Sequence, residues 1–303
     1  MECINGASQD MHKARIRFAS TSVPGLMRNT RDQDPQYAVT YPDLEVMKVE
    51  DRRGETIATM INYAGHPEVL WSDNLELTSD YVGYLCDEVE EELGGVAIFI
   101  NGAIGGMVTP DSDGVFDGQY TPGVPSQHTF EMAETIGTIL AEETINALAD
   151  AKKSPPKMEF NVERKTLTVP LENMGFYFLM TMGILERPEP WYSPSISLFG
   201  SIMTEVNVIN IGEAQMVTMP GEVLPSIGHR LKEVMTGKYN FQIGMGNDEL
   251  GYIIPKEEWD YSGYWTMTPY GPVWEGKYEE SMAIGDDIGE VMENTLLEML
   301  NGT

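Results

Sequence analysis

Three apolar runs of this chain end in the same way, in small residues followed by a polar group. The runs and their ends are residues 57–61 before Gly65-His66-Pro67, residues 96–100 before Asn101-Gly102-Ala103, and residues 214–219 before Pro220-Gly221-Glu222. Each run has the length and apolar character of a strand, and small residues are typical of the turn that follows one. Sites of α/β proteins gather beyond the carboxyl ends of strands, so these turns are where we expect chemistry.

Segments with helical spacing separate the apolar runs. Apolar residues recur every three or four positions in residues 79–93, and residues 129–151 and 277–300 are also helical by pattern. Strands that alternate with helices in this way predict an α/β fold with a mixed β-sheet flanked by helices. We expect residues 1–303 to form one such domain.

Three local expectations follow from the same segments. The turn sequence DRRGE joins the alternating segment 44–49 to the strand 56–62, which predicts a β-hairpin. The run 96–100 is apolar at every position, which is typical of a strand buried on both faces. We also expect Asp80, at the start of the helix over 79–93, to support the turn that presents His66.

Acidic residues outnumber basic ones by 48 to 19, which gives a formal charge of −29. Nucleic acid and an anionic membrane would be repelled by such a chain, so neither is predicted as a partner. No apolar run reaches the roughly 20 residues of a membrane-spanning helix, so no transmembrane segment is predicted. The acidic residues are interpreted either as a solvated surface or as a face that attracts cations.

Few residues are available to bind a metal ion. Cys3 and Cys86 are the only cysteines, so a metal site would need histidine, carboxylate or phenolate ligands. His66 is either a hydrogen-bonded structural residue or a ligand. Glu222 is either an acid favoured in the first turn of a helix or a functional carboxylate. His229 follows on the same predicted helix face and is interpreted as structural.

Six segments of the chain, taken in order, resemble the neutral/alkaline (non-lysosomal) ceramidase family. The segments are INYAGHPEVL, TSDYVGYL, VAIFINGAIGG, VTMPGEVLPSIGHRL, ELGYIIPKEEWDYSGYW and TPYGP. The resemblance reaches back to KARIRFAST and PGLMRNTR, so it covers nearly the whole chain. Six motifs in order are strongly specific for the superfamily and say much less about the substrate.

The resemblance implies a zinc-dependent amidase. It makes His66, Glu222 and Tyr252 the zinc ligands of this chain. It makes Tyr264 the donor that stabilises the oxyanion, and Thr109 stands nearest to the position of a family serine beside the scissile amide. The expected reaction is hydrolysis of an N-acyl amide, either a ceramide-like lipid or another amide, by zinc-activated water. The substrate partner is thus a small molecule or a lipid.

One family segment has no counterpart here. Ceramidases begin with a His-x-His-Ser-Gly-Pro-Asp motif that supplies a further zinc histidine and a catalytic histidine, and this chain lacks it. We therefore expect an N-terminally truncated ceramidase-like catalytic domain. Two alternatives stay open: a partner chain supplies the missing histidines, or the protein is an inactive ceramidase-like scaffold or binding protein with an incomplete metal site.

A lipid substrate would need an apolar groove. An apolar stretch between residues 174 and 182 offers candidates to line one, and such a stretch is also typical of core. The candidates are Met174, Phe176, Phe178, Leu179, Met180 and Met182.

Overall fold

The computed structural model describes residues 2–11, 13–31, 39–111, 128–155, 157–187, 190–194 and 199–302. The helices are α1 (Glu2–Gln9), α2 (Asp80–Leu93), α3 (Phe130–Ala149), α4 (Met174–Thr181), α5 (Pro225–Val234), α6 (Tyr278–Ser281) and α7 (Asp287–Asn301). The strands are β1 (Arg15–Ser22), β2 (Met27–Asn29), β3 (Asp43–Glu50), β4 (Thr56–Tyr63), β5 (Val96–Asn101), β6 (Val108–Pro110), β7 (Phe160–Pro170), β8 (Tyr192–Ser193), β9 (Ser201–Ile211), β10 (Ala214–Met219), β11 (Glu222–Val223), β12 (Tyr239–Gly244), β13 (Tyr252–Ile253), β14 (Tyr264–Thr268) and β15 (Gly271–Glu275).

Parallel and antiparallel pairs occur together in both main sheets. In the first sheet, of order β1-β3-β4-β5, the hairpin β3–β4 is antiparallel, as predicted, and β4 pairs with β5 in parallel. In the second, of order β12-β10-β9-β7, only β10 and β12 pair in parallel. The predicted α/β fold is confirmed, with the mixed pairing divided between two sheets.

The helices cover the sheets through the apolar faces that their spacing predicts. In α2, Leu85 and Val89 are buried, and in α3, Ile136 and Leu140 are buried in the same core cluster. Full burial of each such side chain contributes roughly 1.5–3 kcal/mol. Helix α7 packs against the second sheet through a separate core cluster. None of the described helices is long and apolar enough to cross a membrane.

The two main sheets meet where β4 and β12 come together. The Asn62 side-chain amide donates to the Gln242 carbonyl at 2.8 Å, and the Gln242 backbone N–H donates back to Asn62 Oδ1 at 2.9 Å. A buried amide can hold two strands in register only if both its ends are paired, as they are here. This junction sets the end of β4, and therefore His66, close to the second sheet.

The prediction that residues 96–100 are buried on both faces is wrong. Strand β5 forms the edge of its sheet, and the side chains of Val96 and Ile98 are 56% and 46% exposed. A run of apolar residues marks burial on both faces only when strands and helices cover both, and one face of β5 stays open at this edge.

The predicted final helix over residues 277–300 is interrupted. Between α6 and α7, the carbonyl of Met282 accepts the Tyr252 N–H at 3.0 Å, and the carbonyl of Ala283 accepts the Asn173 side-chain amide at 2.6 Å. These carbonyls bond to other segments and so cannot continue the i to i+4 ladder of a helix. The interruption fixes this segment against β13, which begins at Tyr252.

Candidate active site

The turn that presents His66 follows directly from the end of β4. The His66 N–H donates to the Val108 carbonyl at 2.9 Å, and the Tyr81 hydroxyl donates to the Gly65 carbonyl at 2.7 Å. A side chain at position 65 would place its Cβ 2.6 Å from the sulfur of Met27, so the flexible Met27 side chain would have to move to admit it. The imidazole is thereby held at the junction of β4, β6 and α2.

Asp80 supports the His66 turn, as predicted. Its carboxylate accepts the backbone N–H groups of Val69 at 3.0 Å, Leu70 at 3.1 Å and Tyr81 at 2.8 Å. Asp80 is only 3% exposed and has a φ of 53°, a left-handed conformation that costs energy for a residue with a side chain. Three charge-assisted hydrogen bonds offset that cost and tie the segment after His66 to the start of α2.

Glu222 and Tyr252 stand side by side because their short strands pair. Strand β11 runs parallel to β13 with Glu222 opposite Tyr252. The Gly105 N–H donates to the Val223 carbonyl at 2.8 Å, which brings the loop after β5 against β11. The expectation that Glu222 shares a helix face with His229 is wrong, since Glu222 lies in β11 and α5 begins only at Pro225.

His66 and Glu222 meet in the centre of this region. Atom Nε2 of His66 lies 3.0 Å from Oε2 of Glu222, although neither atom makes a well-aligned hydrogen bond. Burial disfavours the charged imidazolium, but the Glu222 carboxylate outweighs it and raises the pKa of His66, with a smaller contribution from Glu68. The neighbouring carboxylate therefore favours the protonated form of the imidazole in a largely buried place.

Tyr252 is 3% exposed, and its hydroxyl donates to the sulfur of Met107, a weak acceptor, at 3.0 Å. Burial raises the pKa of the Tyr252 phenol, and the negative charge of Glu222 raises it further. The Tyr252 ring also contacts the ring of Tyr278 edge-to-face, with centroids 5.9 Å apart. Tyr252 is thus joined to Glu222 on one side and to an exposed tyrosine on the other.

Of the other two predicted site residues, Thr109 is buried beside this cluster, whereas Tyr264 lies exposed on a hairpin. Thr109 lies in β6, is fully buried, and its hydroxyl faces the Glu68 carboxylate without a well-aligned hydrogen bond. Tyr264 opens β14, is 59% exposed, and pairs across its hairpin with Glu275. No interaction found in the described part of the chain joins Tyr264 to His66, Glu222 or Tyr252.

Two carboxylates that sequence reasoning missed also belong to this region. Glu68 acts electrostatically on both His66 and Glu222, and burial raises its pKa. Burial likewise raises the pKa of Glu249 to about 7, and the charge of Glu222 adds to this effect, while a hydrogen bond from the Gly251 N–H opposes it. The only sequence signal was position: Glu68 follows His66 by two residues, and Glu249 precedes Gly251-Tyr252.

A cavity of about 540 Å³ opens beside Glu222 and Tyr252. Its walls are largely apolar, with Glu249 and Arg187 among the few charged residues. Of the apolar stretch proposed as a groove, Phe176 and Met180 line this cavity, and none of the residues of α4 is fully buried. Two of the six candidates thus line a cavity, and a groove that binds a lipid stays a prediction.

A separate acidic group lies outside this region. Among the described residues, Glu172, Asp286 and Asp287 are the group of three whose donor atoms lie within 4.8 Å of one another. Asp287 pairs with Lys256 at 2.7 Å, and Asp286 accepts the Tyr261 hydroxyl at 2.8 Å. Groups inside the chain thus partner two of these three carboxylates.

The fold of this chain is similar to part of the neutral ceramidase structure. The crystal structure of neutral ceramidase from Pseudomonas aeruginosa matches with a TM-score of 0.68 at 14% identity, over 99% of this chain and 54% of that chain. A structure of ceramidase complexed with C2 gives a TM-score of 0.65 at 14% identity, over 95% and 53%. The chain spans about half the length of these ceramidases, and the likeness shows a ceramidase-like fold. No family model and no curated protein matches the chain.

Proposed function

We propose that this chain carries the site of a zinc-dependent amidohydrolase that cleaves an N-acyl amide, either a ceramide-like lipid or another amide. The observation that carries the proposal is the meeting of His66, Glu222 and Tyr252 from three distant segments. The ceramidase-like fold supports the same reaction class. On this proposal the chain is a member of the ceramidase family.

The chemistry of the cluster fits a zinc ion. Two of its buried donor atoms, Nε2 of His66 and Oε2 of Glu222, lie 3.0 Å apart, and neither has a further partner among the described residues, so both could turn to a shared ion. Imidazole, carboxylate and phenolate are all ligands that zinc accepts. A cation beside Tyr252 would also offset the burial and the negative charge that raise its pKa. His66, Glu222 and Tyr252 would therefore hold the ion.

A bound zinc ion would supply Lewis acidity towards the amide carbonyl and lower the pKa of a water molecule to roughly 7. The residues of the chain would bind the substrate, exclude water and transfer protons. The apolar walls of the cavity, including Phe176 and Met180, would bind an acyl chain and exclude water from it. Glu249, with a pKa of about 7, would hold or release a proton near neutral pH. The role of Tyr264 as oxyanion donor stays a prediction.

The test of the function combines metal analysis with an amidase assay. The purified chain is expected to bind zinc and to hydrolyse an N-acyl sphingosine or a shorter N-acyl amide. The variant His66→Ala should lose zinc affinity and activity at least about tenfold, the loss that even indirect metal partners cause. The matched control is His229→Ala, because His229 is exposed and its contacts, with the Thr40 carbonyl at 2.9 Å and the Tyr41 ring, lie outside the cluster. Activity that survives in His66→Ala would overturn the proposal.

The second candidate is a binding protein on the same scaffold. It is favoured by the exposure of Tyr264, which stands on its hairpin with no described contact to the cluster. Amide binding in calorimetry without turnover, at full zinc occupancy, would support it. If turnover appears only when another chain is added, the result would instead support the alternative in which a partner chain supplies the missing histidines.

A further inference from the structure

A second cavity, of about 400 Å³, opens beside the turn that presents His66. Its walls come from residues of the segment 67–80 and from Met107. The larger cavity, of about 540 Å³, opens beside Glu222 and Tyr252 instead. The cluster therefore borders two cavities, of which the acyl chain of the proposed substrate would occupy only the larger.

Met107 stands between the two cavities. It lines the smaller one, and its sulfur accepts the hydroxyl of Tyr252, which lines the larger one, at 3.0 Å. A methionine side chain is unbranched and adapts its shape easily, and its sulfur is a weak acceptor. A substrate whose amide lies at Tyr252 can therefore displace Met107 and extend from one cavity into the other.

The backbone around both cavities is strained. Among the described residues, five that are not glycine adopt a left-handed φ, between 46° and 73°. Three of them line the smaller cavity and a fourth lines the larger: Trp71, Asp80 and Met107, and then Met245. Such conformations cost energy and gather at functional sites, where the surrounding structure enforces them. The strain around the smaller cavity therefore points to a binding role for it.

The two cavities differ in polarity. The larger is mostly apolar, whereas the charged residues that line the smaller one are all acidic: Glu68, Glu76 and Asp80. Glu68 faces the Thr109 hydroxyl, and Asp80 accepts three backbone N–H groups. Glu76 is exposed, and within the described part of the chain no hydrogen bond or ion pair engages its carboxylate. Its charge is therefore available to a ligand that offers hydrogen-bond donors, and it would repel an anion.

We propose that the smaller cavity binds the amine half of the amide substrate, and that this half carries hydroxyl or ammonium donors and no negative charge. The inference rests on the proposed function, because it divides the same substrate between two cavities. The acyl half lies in the apolar cavity and the amine half lies beside Glu76. N-acyl amino acids are then poor ligands, since their carboxylate would meet only acidic side chains.

The test is binding of four octanoyl amides to the full chain, measured by calorimetry with a chelator present so that no metal-dependent cleavage occurs. Their amine halves are ethanolamine, ethylenediamine, propylamine and glycine. We expect the first two to bind most tightly and the glycine amide to bind most weakly. Glu76→Gln should narrow the affinity ratio of the ethylenediamine and glycine amides by about two- to fivefold, the size of an exposed charge pair. Glu91→Gln is the matched control, because it removes the same charge from an exposed position of α2 that lines neither cavity.

A second variant locates the amine half. Ser72 lines the smaller cavity at an exposed position, so Ser72→Phe should fill part of it. The variant is expected to weaken binding of the ethanolamine amide and to leave octanamide, which has no substituent on nitrogen, unchanged. Circular dichroism checks that the variants fold.

The outcomes separate this inference from the proposed function. Equal affinity for the four amides, or an affinity ratio that Glu76→Gln leaves unchanged, would overturn the role of the smaller cavity. So would binding of the ethanolamine amide that survives Ser72→Phe in full. A chain that discriminates among the amides but shows no zinc-dependent turnover would overturn the proposed reaction and leave the binding site standing. Zinc-dependent turnover of the glycine amide as fast as that of the ethanolamine amide would do the reverse.

Discussion

Atom Nε2 of His66 lies 3.0 Å from Oε2 of Glu222, and this contact couples the turn after β4 to the strand β11. The coupling has a measurable consequence in the metal-free protein. Because the Glu222 carboxylate outweighs burial in raising the pKa of His66, Glu222→Gln should lower that pKa. Titration of the His66 ring by NMR, with a chelator present, measures the change. Glu76→Gln should leave the His66 titration where it is.

The same pair predicts how stability depends on pH. A histidine whose pKa is raised on folding contributes stability that is fully present below its unfolded pKa of about 6.5 and is lost as the pH rises through its folded pKa. Replacing Glu222 with Gln should therefore cost more stability at pH 5 than at pH 9. Thermal unfolding of chelated protein at both pH values checks this. An equal loss at the two values would contradict the coupling.

The raised pKa of Glu249 lowers the stability of the folded state as the pH rises, whereas the His66–Glu222 pair stabilises it at low pH. The pKa of Glu249 is raised to about 7, chiefly by burial, so the folded state prefers the protonated carboxyl. As the pH rises from about 4.5 to 7, the unfolded chain ionises first and the native state loses stability. Metal-free Glu249→Gln should therefore unfold at a higher temperature than the native chain at pH 8, and at about the same temperature at pH 4. Because Glu249 is partly exposed, we expect a gain of only about 1 to 3 °C.

The contribution of Asp80 to the His66 turn can be measured directly. Asp80→Ala removes the acceptor of three backbone N–H groups, two of which belong to Val69 and Leu70. Since buried donors left unpaired cost about 1–3 kcal/mol each, we expect a loss of about 3 kcal/mol or more in the free energy of unfolding. Urea unfolding provides the measurement. Asp87→Ala, at an exposed position of the same helix, is the control and should cost less than about 0.5 kcal/mol.

Much of the fold could be predicted because its signals are local. The apolar runs and the spacing in residues 79–93 depend only on neighbouring residues, and the structure has strands and a helix there. The exposure of Val96 and Ile98 could not be predicted, because it depends on β5 lying at a sheet edge. Nor could the break before α7, since it depends on the Asn173 amide bonding to the Ala283 carbonyl.

The candidate site divides in the same way. His66 and Glu222 each follow a recognisable strand-and-turn pattern, whereas the sequence points to Tyr252 only through the family resemblance. Glu68 and Glu249 become part of the site only through tertiary contacts, and an acidic residue among the 48 of this chain carries no signal of its own. Patterns can thus predict the residues at the strand ends, but not the charges that fold in around them.

Two tyrosines are candidates for the oxyanion donor of the proposed reaction. Tyr278 contacts the Tyr252 ring and lines the cavity, whereas Tyr264 lies on the β14–β15 hairpin with no described contact to the cluster. We expect Tyr278→Phe to lower kcat by about 10²-fold, the loss typical of a missing oxyanion donor, and Tyr264→Phe to have the smaller effect. Steady-state kinetics on a zinc-loaded chain decide between them. A larger loss in Tyr264→Phe would contradict this assignment and favour Tyr264 as the donor.

Gly105 places the loop after β5 against Glu222, and a methyl group there should displace it. A Cβ at position 105 would lie 2.7 Å from the Leu224 nitrogen and would also overlap the Glu222 carbonyl. Neither backbone atom can move freely, so Gly105→Ala should cost about 1–3 kcal/mol in the free energy of unfolding and weaken Zn²⁺ binding. In Gly6→Ala, the added Cβ meets nothing within 4 Å and lies in helix α1, so that variant should be neutral or slightly stabilised. Wild-type stability together with wild-type Zn²⁺ affinity in Gly105→Ala would disprove the role of this contact in positioning Glu222.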